Sequence, residues 1–215
     1  MDIYFMRHGE TPYNQKHLLQ GQRDIALNDA GKAQAEKAAK WFQARGIQFS
    51  RVYASPLSRA VETASLVSGC PQGEIKTDPR LLEIDFGPIE GKKWEDLSAE
   101  EMEYVNDPWK GTPIAGVEDA DHLISRVNGF LDAVKQAAQG SDASATEETV
   151  LAVTHGMALH GILTALTGDR ACWKTPLGNC CIFYIRTDGE SFSNPESAAC
   201  SQNTSCGCCH EKARA

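Results

Sequence analysis

The sequence has 215 residues, of which 41% are hydrophobic, 23% charged and 7% aromatic, an ordinary composition for a globular protein of about one domain. Its formal net charge of −8 disfavours a nucleic acid or an anionic membrane as partner, because such partners are usually bound by a basic surface. No apolar run approaches the roughly 18 to 20 residues that a membrane span requires, and the apolar start of the chain is too short for a secretory signal.

The first half of the chain alternates short strands with helices. Apolar segments rich in β-branched and aromatic residues predict strands. Helices are expected to begin at capping residues such as Asn28, and at Ser55 with Pro56 behind it. In chain order, we expect a buried strand at 2–6, a polar loop at 7–24, a helix at 28–45, a strand at 51–54, a helix at 55–68 and a weak strand at 74–77.

The second half continues the alternation. Its clearest helix, 118–139, places the apolar residues on one face. The continuous apolar run at 150–153 is typical of a strand that is covered on both faces. The remaining expectations are a loop at 83–92, a helix at 94–105, an irregular segment at 107–116, a linker at 140–148, a helix at 156–166 and a strand at 180–186.

This order of elements indicates an α/β fold. Strands that alternate with helices predict a mostly parallel sheet sandwiched between helical layers. We expect a single domain over residues 1–188, in which 93–117 forms a cap over the site. Residues 189–215 are small, polar and rich in cysteine, so we expect them to form a flexible tail.

The eight cysteines fall into two groups. One group is scattered through the predicted core, and we expect reduced thiols there in a cytoplasmic protein; its members are Cys70, Cys172, Cys180 and Cys181. The other group lies in the tail beside His210 and could bind zinc or copper; its members are Cys200, Cys206, Cys208 and Cys209. Because the tail lacks paired Cys-x-x-Cys spacing, we favour a flexible tail over a metal site, and we expect no cofactor.

Polar motifs follow three of the predicted strands, and a fourth stands at the entry of a loop. Arg7-His8-Gly9-Glu10-Thr11 follows the first strand, Ser55-Pro56-Leu57-Ser58-Arg59 the second, and Thr154-His155-Gly156 a late one, while Leu82-Glu83 enters the loop. The carboxyl ends of parallel strands share one rim, where ligands bind. We therefore expect two histidines, two arginines and a carboxylate to meet there.

Phosphoryl transfer is the chemistry that suits this set. A neutral imidazole can attack phosphorus and form a covalent intermediate. Arginine guanidinium groups pair bidentately with phosphate oxygens, and helix N-termini near Ser55 and Gly156 would direct N–H groups at the same anion. Glu83 could protonate the departing alkoxide and then take a proton from water.

In the order and content of these motifs, the chain resembles the histidine phosphatase superfamily, in its phosphoglycerate-mutase-like branch. The resemblance rests on Arg-His-Gly-Glu-Thr, Ser-Pro-Leu-Ser-Arg-Ala-Val-Glu-Thr-Ala, the Leu-Leu-Glu loop and the late His-Gly. It implies a three-layer α/β/α sandwich and catalysis without a metal. It also implies that His8 is the phosphorylated nucleophile, that Arg7, Arg59 and His155 form the phosphate pocket, that Glu83 donates the proton, and that Asn14, Gln20 and Gly21 make further contacts.

A phosphatase is favoured over a phosphoglycerate mutase. Glu83 is followed by Ile-Asp-Phe-Gly-Pro-Ile-Glu-Gly, which resembles the phosphatases of the family, and Met157 stands where the mutases tend to carry asparagine. A catalytically silent binding module and a metal-binding protein that uses the tail remain alternatives of another class. His122 and His160 are expected to be structural.

The expected substrate is a small phosphorylated molecule. The acidic residues of segment 94–116 argue against a polyphosphate leaving group, and Trp109 favours an apolar or ring-bearing one. The oligomeric state is left open, with a dimer among the options.

Overall fold

The computed structural model describes residues 1–139, 148–174 and 176–199. The candidate metal ligands of the tail, Cys200, Cys206, Cys208 and Cys209, lie outside these ranges, as does most of the predicted linker at 140–148. Within the described ranges, no helix is long and apolar enough to cross a lipid bilayer.

In the part of the chain that the structure describes, the fold contains six strands and six α-helices. The strands are β1 (Asp2–Arg7), β2 (Arg51–Ala54), β3 (Lys76–Thr77), β4 (Thr149–Thr154), β5 (Ile182–Arg186) and β6 (Glu196–Ala199). The helices are α1 (Pro12–Gln15), α2 (Asp29–Gln43), α3 (Ser58–Ser68), α4 (Ala99–Asn106), α5 (Ala120–Gln139) and α6 (Gly156–Thr167). Short 3₁₀ turns occupy Gln72–Glu74, Pro79–Leu81, Gly87–Ile89, Trp94–Asp96 and Arg170–Lys174.

The strands form one sheet in the order β3-β2-β4-β1-β5-β6. β1 pairs in parallel with β4, β4 with β2, and β2 with β3. β5 runs antiparallel to β1, and β6 antiparallel to β5. The sheet is therefore parallel through its first four strands, which confirms the predicted mostly parallel α/β fold.

Helices cover both faces of the sheet. On one face, α2 and α3 bury Ala35, Phe42 and Ala60 against β2 and β4. On the other face, Leu123 and Phe130 of α5 pack with α6 against β1. The apolar face that the sequence predicts for α5 is the face that it buries, and the molecule has the expected three layers.

Two helical predictions need correction. The segment 7–24 is not loop throughout, because Thr11 caps the short helix α1 through a capping box with Asn14, and Pro12 begins it. The single helix predicted at 94–105 is a 3₁₀ turn followed by α4. Ser98 accepts a hydrogen bond from the backbone N–H of Glu101 and so starts α4 as its cap.

The prediction that regular structure ends near Asp188 is wrong. Residues 196–199 form β6, which pairs with β5 across a register shift at Ile182 and Phe183. Its sequence, Glu-Ser-Ala-Ala, has low strand propensity, so the ladder to β5 determines its conformation. The expected burial of the scattered cysteines is correct for Cys180 and Cys181, but Cys70 and Cys172 are only half-buried.

Candidate active site

The ends of β1, β2 and β4 lie side by side. Arg7 is level with Thr154, and Ala54 is level with Val153. The chain after β1 continues this alignment, since the backbone N–H of His8 donates to the carbonyl of Thr154 at 2.9 Å. The register of the sheet thus brings the segments that carry His8, Arg59 and His155 to one rim.

His8 is held in one tautomer. Its Nδ1 lies 2.6 Å from the carbonyl of Gly9, and because a carbonyl can only accept, Nδ1 carries the ring hydrogen. Nε2 therefore carries no hydrogen, and its lone pair accepts a hydrogen bond from Nε of Arg59 at 3.3 Å. The loop needs glycine here, because a Cβ on Gly9 would lie 2.5 Å from the carbonyl oxygen of Gly31.

Arg59 is fully buried in the first turn of α3 and joins the two histidines. Its Nε also donates to Nδ1 of His155, at 3.2 Å. Its terminal nitrogens donate to the carbonyls of Arg23 at 2.7 Å and Gly21 at 2.8 Å. Burial lowers the pKa of Arg59 to about 10, so the guanidinium is still charged at neutral pH.

Both imidazoles are neutral in this environment. Burial, reinforced by the positive charges of Arg59 and Arg7, holds the pKa of His8 well below its usual 6.5. Burial and Arg59 lower the pKa of His155 in the same way, with a contribution from His8. The two ring centroids are 5.1 Å apart, which disfavours protonation of both. Any role for His155 as a charged donor would therefore need proton uptake together with a bound anion.

Two buried donors beside the His8 ring are unsatisfied. Because Nδ1 of His155 accepts from Arg59, the hydrogen of the neutral ring sits on Nε2, and this Nε2 has no hydrogen-bond partner among the described residues. Nε of Arg7 is equally buried and unpartnered within them, although NH1 of Arg7 donates to the carbonyl of Leu177. Buried donors are normally paired, so this corner of the site is prepared for an acceptor.

The side chain of Glu83 contacts the N-terminal turn of α6. Its Oε1 accepts from the backbone N–H groups of Ile84 and Ala158, both at 3.0 Å, and Oε2 accepts from that of Met157 at 3.2 Å. The carboxylate is close to Arg7, since a Cβ built on Gly156 would lie 3.6 Å from Nε of Arg7 and 3.7 Å from Oε2 of Glu83. The N-terminal end of α6 therefore fixes Glu83 next to the unsatisfied donors.

A cavity of about 680 Å³ opens onto these groups. His155 is fully buried beside His8 and does not line the cavity. Eight of the nine sequence-predicted residues do line it: Arg7, His8, Asn14, Gln20, Gly21, Arg59, Glu83 and Gly156.

The three predicted contact residues of the first loop are tied to one another and to the histidine segment. Thr11 donates through its hydroxyl to Oε1 of Gln20 at 2.9 Å and lies 3.1 Å from Oδ1 of Asn14. Gly21 has a φ of +52°, and its carbonyl binds Arg59. Thr11 thus holds Asn14 and Gln20 together, whereas Gly21 helps to hold Arg59.

Three supporting residues carry no motif and are absent from the sequence prediction. Asn179, in the turn before β5, donates to the carbonyl of His8 at 3.0 Å. Gln22 donates to the carbonyl of Glu83 at 3.0 Å. Arg126 of α5 donates to that carbonyl at 3.0 Å and to the carbonyl of Leu82 at 2.7 Å. The sequence feature that could have identified Asn179 is a Gly-Asn pair just ahead of an apolar strand. For Arg126, the only such feature is a cation eight residues after Glu118.

Within the residues that the structure describes, no group of three or more His, Cys, Asp or Glu side chains is arranged to hold a metal ion. His160, which the sequence assigns a structural role, lines the cavity next to Trp173, with ring centroids 5.3 Å apart.

Comparison with known proteins shows the family of the chain. The sequence model of the histidine phosphatase superfamily (branch 1) matches residues 3–196. The chain belongs to this superfamily.

Two relatives of this histidine phosphatase carry different names. "Putative phosphoserine phosphatase 2" of Hydrogenobacter thermophilus is 32% identical over 195 residues, which make up 87% of this chain and 90% of the relative. "Probable phosphoglycerate mutase GpmB" of Cronobacter sakazakii is 32% identical over 174 residues, or 78% of this chain and 75% of the relative.

Among solved structures, a phosphoserine phosphatase mutant from Entamoeba histolytica in complex with phosphoserine aligns with a TM-score of 0.71. It is 25% identical in sequence, and the alignment covers 92% of this chain and 95% of that one. The superfamily match and these similarities identify the protein as a phosphatase enzyme, as the sequence predicts.

Proposed function

We propose that this histidine phosphatase hydrolyses small phosphomonoesters in two steps, through a phosphoryl group carried on His8 and without a metal ion. One observation carries the proposal: the unprotonated Nε2 of His8, which accepts a long hydrogen bond from Arg59, lies beside two buried, unsatisfied donors on Arg7 and His155. A phosphoryl group bound there would satisfy both donors and place its phosphorus in front of the nucleophile.

The same donors suit the transition state. Negative charge spreads over the equatorial phosphoryl oxygens as the bond to the leaving group breaks. Arg7, Arg59 and the Nε2 hydrogen of His155 supply positive or partly positive groups at fixed positions, and Gly156 begins the N-terminal turn of α6. Because these groups are buried, they need little reorganisation as the charge develops.

In the first step, Nε2 of His8 forms a bond to phosphorus while the ester P–O bond breaks, and a protonated Glu83 gives its proton to the departing oxygen. The carbonyl of Gly9 holds the Nδ1 hydrogen throughout and so steadies the positive charge on the ring. In the second step, Glu83 takes a proton from water, the water oxygen attacks phosphorus, and the P–N bond breaks to release phosphate.

Phosphoglycerate mutase activity is the rival within the family, and it is favoured by relatives with that name, such as the one of Cronobacter sakazakii. A mutase must return the phosphoryl group to a second hydroxyl before water reaches it. Glu83 and Met157 line a cavity of about 680 Å³, and this space around Glu83 favours attack by water instead. A silent binding module is disfavoured, because the five proposed catalytic residues are all present.

The test is a phosphate-release assay of the full-length protein on a panel of sugar phosphates, phosphoglycerates, nucleotides and phosphoamino acids. We expect turnover that a chelator does not change and that His8→Ala abolishes without altering the circular dichroism spectrum. Isomerisation of phosphoglycerate that depends on 2,3-bisphosphoglycerate and outpaces phosphate release would instead establish the mutase. Full activity of His8→Ala would refute the mechanism.

A further inference from the structure

The cavity is much larger than a phosphoryl group and extends away from His8. A volume of about 680 Å³ is in the range of sites that enclose a whole drug-sized molecule. The phosphoryl group occupies the end formed by Arg7, His8 and Arg59 under the proposed function. The rest of the cavity must therefore receive the leaving group, and its lining determines which leaving groups fit.

The lining beyond the phosphate end is mostly apolar and partly aromatic. Trp173 forms part of the wall and is buried, and Trp109 packs against it from behind at a centroid distance of 4.9 Å. Trp94 also lines the cavity and is 37% exposed. The other apolar members used here are Phe86, Val105, Met157 and Leu177.

Away from the phosphate end, the charged side chains that line the cavity are both negative. Glu103 is exposed on α4 and Asp107 ends that helix, and both line the cavity. Asp107 is partly compensated by Lys110 at 3.6 Å, whereas Glu103 has no ion-pair partner among the described residues. A second anionic group on a substrate would approach at least one uncompensated carboxylate.

No cation in the described lining is left to bind such a group. Its only arginines are Arg7 and Arg59, which lie at the phosphate end, and it contains no lysine. His160 does not substitute for them, because burial, with a smaller effect of Arg7, lowers its pKa to about 4. The ring is neutral at pH 7 and brings no positive charge to the leaving-group end.

We infer that the cavity selects phosphomonoesters whose leaving group is largely apolar and carries neither a carboxylate nor a second phosphate. This inference rests on the proposed function and adds the substrate class. It separates this enzyme from relatives that are named for phosphoserine and phosphoglycerate. Glu103 is the specificity-determining residue against anions, and Trp173 contributes the apolar wall.

Three esters test the inference on the full-length enzyme. Glycerol 1-phosphate and 3-phosphoglycerate differ only in a hydroxymethyl group against a carboxylate, and benzyl phosphate adds an apolar ring to an alcohol that is no better a leaving group. We expect kcat/KM to be highest for benzyl phosphate and lowest for 3-phosphoglycerate. The two glycerol-based esters should differ by about fivefold or more, the factor for one pair of like charges in a largely aqueous setting.

A matched pair of variants assigns the effect to Glu103. Glu103→Gln should raise kcat/KM for 3-phosphoglycerate by about threefold or more and leave glycerol 1-phosphate nearly unchanged. Glu100→Gln makes the same charge change on the same helix away from the cavity, and it should leave the ratio of the two esters unchanged. If 3-phosphoglycerate is the best of the three substrates, or both variants act alike, the inference is wrong while the proposed function stands. If none of the esters is hydrolysed, the proposed function itself fails.

Discussion

Nε of Arg59 lies 3.3 Å from Nε2 of His8, so a buried cation contacts the nitrogen that we propose forms the bond to phosphorus. The carbonyls of Gly21 and Arg23 hold the rest of the guanidinium, which fixes the distance between charge and nucleophile. A positive charge at this distance disfavours a second one on the ring. Burial is the larger cause of the low His8 pKa and Arg59 reinforces it; under the proposed function, Arg59 also binds the phosphoryl group.

Replacing Arg59 by methionine should raise the pKa of His8, because the charge that lowers it is removed. The pKa should stay below 6.5, since burial is the larger cause. NMR titration of the His8 ring measures the change, and kcat/KM at pH 7 should fall by about 100-fold or more. Arg59→Lys is the control that keeps the charge: it should lose activity while the pKa of His8 remains low. A His8 pKa that is the same in both variants would contradict this role.

Arg126 should act as a positioning residue for Glu83. Its side chain donates to the carboxylate of Glu118 at 2.7 Å and to the carbonyl of Glu83. Burial raises the pKa of Glu118, but the hydrogen bond and charge of Arg126 help to bring that pKa below its usual value. Arg126→Gln should lower kcat with little change in KM, because Glu83 acts in the chemical step. The free energy of unfolding should fall by about 2 kcal/mol, since the Glu118 carboxylate loses its charged hydrogen-bond partner and keeps, among the described residues, only His122 and the backbone N–H of Asp85.

Urea denaturation and steady-state kinetics of Arg126→Gln, Glu118→Gln and the double variant check this prediction. The double variant should be more stable than Arg126→Gln alone, because it leaves no half-buried carboxylate without its arginine. If the double variant loses as much stability as the two single variants added together, Arg126 and Glu118 are not coupled.

Gly21 should tolerate alanine less well than Gly46, although both have a positive φ, of +52° and +66°. A Cβ on Gly21 would lie 1.8 Å from Oε1 of Glu90, and that oxygen also accepts the backbone N–H of Gln22 at 2.7 Å. Gly46 has open space around it.

Gly46→Ala should therefore cost only the backbone strain, about 1 to 2 kcal/mol in the free energy of unfolding, with kcat/KM unchanged. Gly21→Ala should cost more and should also lower kcat/KM, because displacing the Gly21 carbonyl disturbs Arg59. Thermal unfolding and kinetics of the two variants measure both effects, and equal activity in the two would argue against the proposed link to Arg59.

Stability should fall as the pH is lowered from 7 to 5. The pKa of His160 is about 4 in the folded protein and near 6.5 once the ring is solvated, so in this window the unfolded chain binds the proton and the folded one does not. For His160, this difference in proton binding lowers the free energy of unfolding by about 2 kcal/mol between pH 7 and pH 5. His8 and His155 act in the same direction.

His160→Gln should reduce the loss of stability between these pH values by that amount, whatever its effect on stability at pH 7. Urea titrations of both proteins at pH 7 and pH 5 give the two differences. An equal pH dependence with and without His160 would mean that its ring does not titrate differently on folding.

The sequence predicts the parallel part of the sheet and the residues at its rim well. β4 is a continuous apolar run, and the motifs at His8 and His155 follow strands whose ends a parallel sheet must align. The same reasoning brings Arg59 into the site, because α3 begins directly after β2. These features depend on local pattern and on one topological rule.

The missed features depend on contacts between distant segments. β6 has a polar, small-residue sequence and is a strand only because β5 pairs with it. Asn179 and Arg126 bind backbone carbonyls next to His8 and Glu83, and such contacts leave no motif in the sequence. The neutral state of His155 likewise depends on burial by the whole fold, which local sequence does not reveal.

The phosphoryl-enzyme intermediate is the most direct test. The full-length enzyme is mixed with a ³²P-labelled phosphomonoester that it hydrolyses, denatured without acid within a fraction of a turnover, and digested for peptide mapping. We expect acid-labile label on the peptide that contains His8, and none in His8→Ala. Turnover of the same ester with no label on His8, or with label on another residue, would contradict the account.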